Sequence, residues 1–100
     1  MNLGRFSEPG LFILTSLADG EKHGYAMIED IETFTGVRLG PGTLYGAIAR
    51  LEKNELIEPV ETSDRRRPYR LTPAGKKFLE ESLVQLEKIT KTGFQRLAIL

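Results

Sequence analysis

Arg65, Arg66 and Arg67 are three consecutive arginines between two short apolar stretches, in the run ETSDRRRPYRL. Arginines at the tip of a hairpin can contact backbone phosphates, and one of them can enter a minor groove. The competing reading is a charged tip that keeps the hairpin soluble and guards an edge strand. Upstream, GPGTLYGAIARLEK places Gly42 and Thr43 in the first turn of an expected helix, where free backbone amides attract an anion. The Tyr45 hydroxyl can donate to a phosphate, or its ring can pack half-buried beneath the hairpin. Arg50 lies later in the helix, as does Lys53, so both suit phosphate better than base edges. Gly46 and Ala47 are small, and small residues let a helix backbone approach a neighbouring surface such as a major groove. With so few base-reading side chains, direct readout is modest, and specificity is expected to come also from DNA shape and from the spacing of two copies.

The elements that must position these groups are legible from start and stop signals. Gly40-Pro41 ends one segment and opens a helix over Pro41–Lys53, with proline pre-set for the first helical position. Leu44, Ile48 and Leu51 recur at helical spacing and form its core face. Strands are expected at 57–62 and 67–71, with Thr62, Ser63 and Asp64 as the turn; Pro59 marks the first strand as an edge or a bulge. Asn54 is the expected left-handed cap between helix and strand. A helix followed at once by a hairpin with a basic tip is the layout of a winged helix-turn-helix.

Before this unit, residues 1–7 read as a short disordered lead, and Glu8-Pro9 opens a very apolar helix carrying Leu11, Leu14, Leu17 and Ala18, widened by Phe12 and Ile13. Residues 19–22 form a turn. His23-Gly24 leads into an amphipathic helix with Tyr25, Ile28, Ile31 and Phe34 inward, Glu29, Asp30 and Glu32 in solvent, and Gly36 as C-cap. Residues 37–39 form a brief extended segment. Thr72-Pro73 caps a last helix that runs towards the C-terminus. Leu79, Leu83, Leu86 and Ile89 make an apolar seam continued by Phe94, Leu97 and Leu100, weakened locally by Gly93. A helix longer than the body it covers invites a partner helix, so this one is read as a homodimer element together with Leu11 and Leu14. The expected fold is mainly α with a small antiparallel β-hairpin: a winged helix-turn-helix over residues 1–72 and a C-terminal dimerisation helix over 73–100, in one compact domain.

Bulk composition sets limits. One hundred residues make one small domain, and with no cysteine there is no disulfide or thiolate site. No signal peptide and no membrane span are expected, which suits the cytoplasm. The formal charge is zero, but its distribution is uneven: net −4 over residues 1–35, net +4 over 36–77 and neutral beyond. A positive patch needs only local charge. His23 is the only histidine and reads as structural. No nucleophile–base pair or nucleotide-binding loop is present, so no catalytic residue, metal ligand or cofactor is expected.

Four pieces in order carry a resemblance. They are His23-Gly24-Tyr25 with Ile28; Pro41-Gly42-Thr43-Leu44-Tyr45; Leu51-Glu52 with Leu56-Ile57; and Tyr69-Arg70-Leu71-Thr72 with Gly75. At this spacing the chain resembles the PadR family of winged-helix transcriptional regulators over residues 8–80. The resemblance implies a homodimeric repressor of double-stranded DNA, with the last helix exchanged between subunits, the helix holding Thr43 and Tyr45 in the major groove and the wing beside it. It also implies that some members release DNA when a small aromatic molecule binds near the dimer interface. The chain departs from the family pattern in three places. Glu55 stands where glycine is usual, so Asn54 is expected to take over the turn. Pro68 stands where a second tyrosine is usual. The C-terminal helix is short and lacks tryptophan, which leaves Phe94 as the nearest aromatic for an effector, with core or dimer packing as its competing role. Zero net charge keeps a second function class open: a winged-helix protein–protein interaction module that does not bind DNA.

Overall fold

The start and stop signals act where they stand. The computed structural model describes residues 8–63 and 65–99; the lead at 1–7, Asp64 of the expected turn and Leu100 lie outside the described residues. Helix α1 spans Glu8–Ser16 and passes into a single 3-10 turn, Leu17–Asp19. Strand β1, Lys22–His23, precedes α2, Gly24–Thr35. Helix α3 is Pro41–Lys53, β2 is Ile57–Pro59, β3 is Pro68–Leu71 and α4 is Pro73–Ile99.

Each helix end has a chemical cause. His23 Nδ1 accepts the Ala26 amide at 3.3 Å and caps α2, which gives the lone histidine a structural role. Gly36 closes α2 with φ 77°, a left-handed conformation that glycine adopts without a Cβ clash. Thr72 Oγ1 accepts the Gly75 amide at 2.9 Å and caps α4. The end of α3 differs from expectation. Asn54 has φ −88°, and Glu55 takes the left-handed position with φ 60°. The reason is the hydrogen-bond pattern: Glu55 N donates to Glu52 O at 2.9 Å and Leu56 N donates to Leu51 O at 3.0 Å. These are the two bonds of a Schellman motif, and they require the left-handed residue one position after the cap. Buried Leu51 and Leu56 supply its usual apolar contact. A non-glycine residue there costs about 1–2 kcal/mol, partly offset because glycine loses more freedom on folding. Glu55→Gly is therefore expected to stabilise the fold by about 0.5–1 kcal/mol. A urea midpoint at or below that of the parent chain would show that the turn carries no such strain.

The core is made by Ile13, Leu14 and Leu17 of the first segment, Met27, Ile28 and Ile31 of α2, Leu44, Ala47, Ile48 and Leu51 of α3, Leu56 and Ile57, and Leu79 of α4. Helix α1 packs against α2, α3 and α4 and is the centre of the assembly. Buried Ser16 donates to Asp30 Oδ2 at 2.7 Å, so Asp30 is a half-buried acceptor and not part of a solvated face. Ala18 lies in the 3-10 turn and is exposed, because the helical face ends at Ser16. Leu39 is buried, but residues 37–39 form no strand.

The expected hairpin is a three-stranded antiparallel sheet in the order β1-β3-β2. Its outer strand pairs Lys22 with Tyr69 and His23 with Pro68. The hairpin pairs Ile57 with Leu71, Glu58 with Arg70 and Pro59 with Tyr69. Both strands are shorter than expected, because regular pairing stops at Pro59 and starts at Pro68. Pro59 is on an edge strand and Pro68 is the first residue of the central one, the positions where a missing amide hydrogen is tolerated. The Arg70–Glu58 ion pair at 3.0 Å joins directly opposed residues.

Helix α4 buries only its first turns: Gly75, Leu79 and Ser82 are covered. Beyond Leu86 the helix is exposed, with Ile89, Phe94, Leu97 and Ile99 all facing solvent. The molecule is correspondingly long, at 56 × 26 × 22 Å.

Candidate nucleic-acid interface

Helix α3 presents a smooth outer face. Its buried residues, Leu44, Ala47, Ile48 and Leu51, form one stripe. At about 100° per residue the opposite side carries Gly42, Gly46, Ala49 and Lys53, flanked by Thr43 and Arg50 on one side and Tyr45 on the other. Ala47 was expected outward but is buried; it lies about 60° from Leu44, inside the apolar stripe. Gly42 has open space where a Cβ would stand, and Gly46 meets only the Arg50 guanidinium at 3.8 Å. Pro41, Gly42 and Thr43 are exposed, so the first-turn amides face solvent.

A cleft of about 320 Å³ lies beside this helix. His23, Gly24, Tyr25, Tyr45 and Tyr69 line it together with Arg65, Arg66 and Arg67. Three elements meet there because β1 pairs with β3, which draws the start of α2 against the base of the wing. Tyr45 is 53 % exposed, and its ring lies against the α2 start: a Cβ at Gly24 would stand 2.4 Å from the Tyr45 hydroxyl oxygen. Gly24 thus leaves the space that the tyrosine occupies. Tyr25 was expected in the core but is 57 % exposed. It lies about 110° from the centre of the Met27, Ile28 and Ile31 stripe, which turns it out of the core. Phe34, also expected inward, is largely exposed and packs edge-on against Phe12 at 6.4 Å. Burial, and then the charge of Glu52, push the Tyr69 phenol above its ordinary pKa. It remains a neutral donor at physiological pH.

Periodicity missed Tyr25 and Tyr69 as cleft residues. Tyr25 fits the spacing of a core residue, and Tyr69 reads only as an alternating strand position.

The predicted dimerisation residues separate into three groups. Leu14 and Leu79 are covered within this one chain. Leu11, Leu83 and Leu86 line an apolar groove of about 440 Å³, together with Phe12 and Phe34. Phe94 and Leu97 stand on the exposed half of α4, with Phe94 69 % exposed. No described helix is long and apolar enough to cross a membrane.

The profile of the transcriptional regulator PadR-like family matches residues 13–81, which takes in both the α3 face and the wing. This chain belongs to the PadR-like family. The PadR-like chain is 38% identical over 84 residues to a transcriptional regulator, Rv3488, of Mycobacterium tuberculosis, covering 81% of this chain and 78% of that protein. It is 44% identical over 91 residues to an uncharacterised 37.1 kDa protein in a transposon of Streptomyces fradiae, covering 91% of this chain but only 26% of that protein. Among solved structures, a PadR family transcription regulator from Clostridium difficile superposes with a TM-score of 0.83 at 27% identity, covering 91% of this chain and 99% of that one. The PadR-like fold and the class of transcriptional regulator follow. Against the family pattern, the Schellman turn keeps its geometry although Glu55 replaces glycine, and Pro68 opens β3 without breaking the sheet.

Proposed function

We propose that this chain is a homodimeric regulator that binds double-stranded DNA through α3 and the wing, acting as a cytoplasmic repressor. The observation that carries the reading is the cleft itself. Tyr45 of α3, Tyr25, Tyr69 and the three wing arginines line one cleft, and the first turn of the same α3 helix is exposed. Positive charge beside neutral donors suits a phosphate backbone. Gly42, Gly46 and Ala49 let the groove floor approach the helix, and Thr43, Tyr45 and Arg50 flank it.

The dimer reading is supported by two apolar surfaces of one chain: the groove at Leu11, Leu83 and Leu86, and the outer half of α4 with Phe94 and Leu97. Two copies joined along α4 place two α3 helices for a two-fold site, with half-sites about 34–36 Å apart or a multiple of it. The groove, with Phe12 and Phe34 in its wall, also suits a small aromatic effector better than exposed Phe94 does.

Electrophoretic retardation of DNA taken from beside the protein's own gene tests the reading, alongside sedimentation at tens of micromolar. The expected result is a salt-sensitive shift by a dimer. A folded dimer that retards no DNA at low salt points instead to a protein–protein interaction module, the reading that zero net charge keeps open. A monomer removes the two-fold site.

A further inference from the structure

Arg38 lies in the turn between α2 and α3, apart from the wing arginines and from α3 itself. Its Nη1 donates to Glu32 Oε1 at 3.1 Å, and its guanidinium carbon stands 5.9 Å from the centre of the Tyr25 ring. Tyr25 also lines the cleft that holds the wing arginines. Positive charge therefore continues from the wing, past one aromatic ring, to Arg38, three residues before α3 opens at Pro41. The Arg38 and Glu32 side chains are 48% and 46% exposed. An ion pair so open to water contributes little to stability, and the arginine can change partner at small cost. A phosphate offers the guanidinium fork the same pair of acceptor oxygens as a carboxylate.

We propose that Arg38 is a phosphate contact for duplex DNA and that Glu32 is its internal competitor, holding the guanidinium in the free protein and yielding it on binding. The proposal rests on the DNA-binding reading above. Stacking on Tyr25 keeps the guanidinium near the cleft when the carboxylate lets go. Glu32 also places a negative charge beside the approaching strand, so its two effects on affinity have the same sign.

Fluorescence anisotropy of labelled duplex DNA, titrated at several salt concentrations, tests this in the full chain. Arg38→Gln is expected to weaken binding about fivefold at low salt and to reduce the steepness of the salt dependence by about 0.9. Glu32→Gln, which removes charge but keeps an acceptor, is expected to tighten binding about threefold. That gain shrinks when Arg38 is already replaced. Unchanged affinity and slope in Arg38→Gln overturn the proposal. So does a parallel loss of affinity and melting temperature in both single variants, which makes the pair a brace for the turn. If the parent chain itself binds no duplex at low salt, the DNA-binding reading fails first, and the same titration shows it.

Discussion

Replacing Arg65, Arg66 and Arg67 together by alanine is expected to weaken binding to duplex DNA by about a hundredfold at low salt and to reduce the salt slope by about 2.7. Each arginine is expected to meet one phosphate, and each such contact releases about 0.9 of a condensed counterion. All three side chains are exposed at the tip of the wing, so their loss uncovers no core. Surface substitutions of this kind usually change stability by less than about 0.5 kcal/mol. Thermal unfolding of the variant should therefore match the parent. Anisotropy titrations at several salt concentrations read both quantities. An unchanged slope would remove the wing from the interface, whatever happens to affinity at a single salt concentration.

Gly75→Ala is expected to destabilise the fold by about 3 kcal/mol or more. A Cβ at Gly75 would stand 1.8 Å from the Leu56 carbonyl oxygen and 2.8 Å from its carbon. Both are backbone atoms, so no side-chain rotation relieves the clash. Thr72 N donates to the same Leu56 oxygen at 3.1 Å, and Thr72 Oγ1 donates to Glu55 O at 2.6 Å. Moving α4 away breaks both bonds and opens the core at Leu79. The helix-propensity gain from alanine is only about 1 kcal/mol and cannot compensate. Thermal unfolding at fixed protein concentration should show a midpoint lower by about 12–24 °C. Gly93 is the control on the same helix: nothing lies within 4 Å of its Cβ position. Gly93→Ala should hold or raise the midpoint, so a similar loss in both variants would trace the effect to α4 and not to the approach at Leu56.

Much of this protein follows from local chemistry that a single sequence displays. Pro41 and Thr72-Pro73 start helices because a missing amide hydrogen costs nothing there and a threonine hydroxyl satisfies one that remains. Gly36 ends a helix because left-handed backbone suits a residue without Cβ. Leu44, Ile48 and Leu51 repeat at the helical period, so the buried side of α3, and with it the exposed start at Gly42 and Thr43, could be read in advance. The wing was legible as a polar, arginine-rich interruption between apolar stretches.

Other features depended on pairings that no local signal records. Lys22 and His23 look like the end of a turn and the start of a helix. They form a strand only because Tyr69 and Pro68 lie opposite them. That pairing brings the α2 start to the wing and makes the cleft, so the roles of Tyr25 and Tyr69 arise with it. The left-handed turn fell on Glu55 and not Asn54 because two backbone bonds back into α3 set its position, overriding the residue preference. Ala47 is small enough to suit either side of a helix, and only the packing of α3 into the core placed it inside. Residue type and spacing by themselves determined the helices, the caps at Gly36, Pro41 and Thr72-Pro73, and the charged tip, because those depend on neighbours along the chain. The tertiary structure alone decided which aromatic rings face the cleft and which leucines stay exposed, because burial is a property of surfaces that meet from distant parts of the chain.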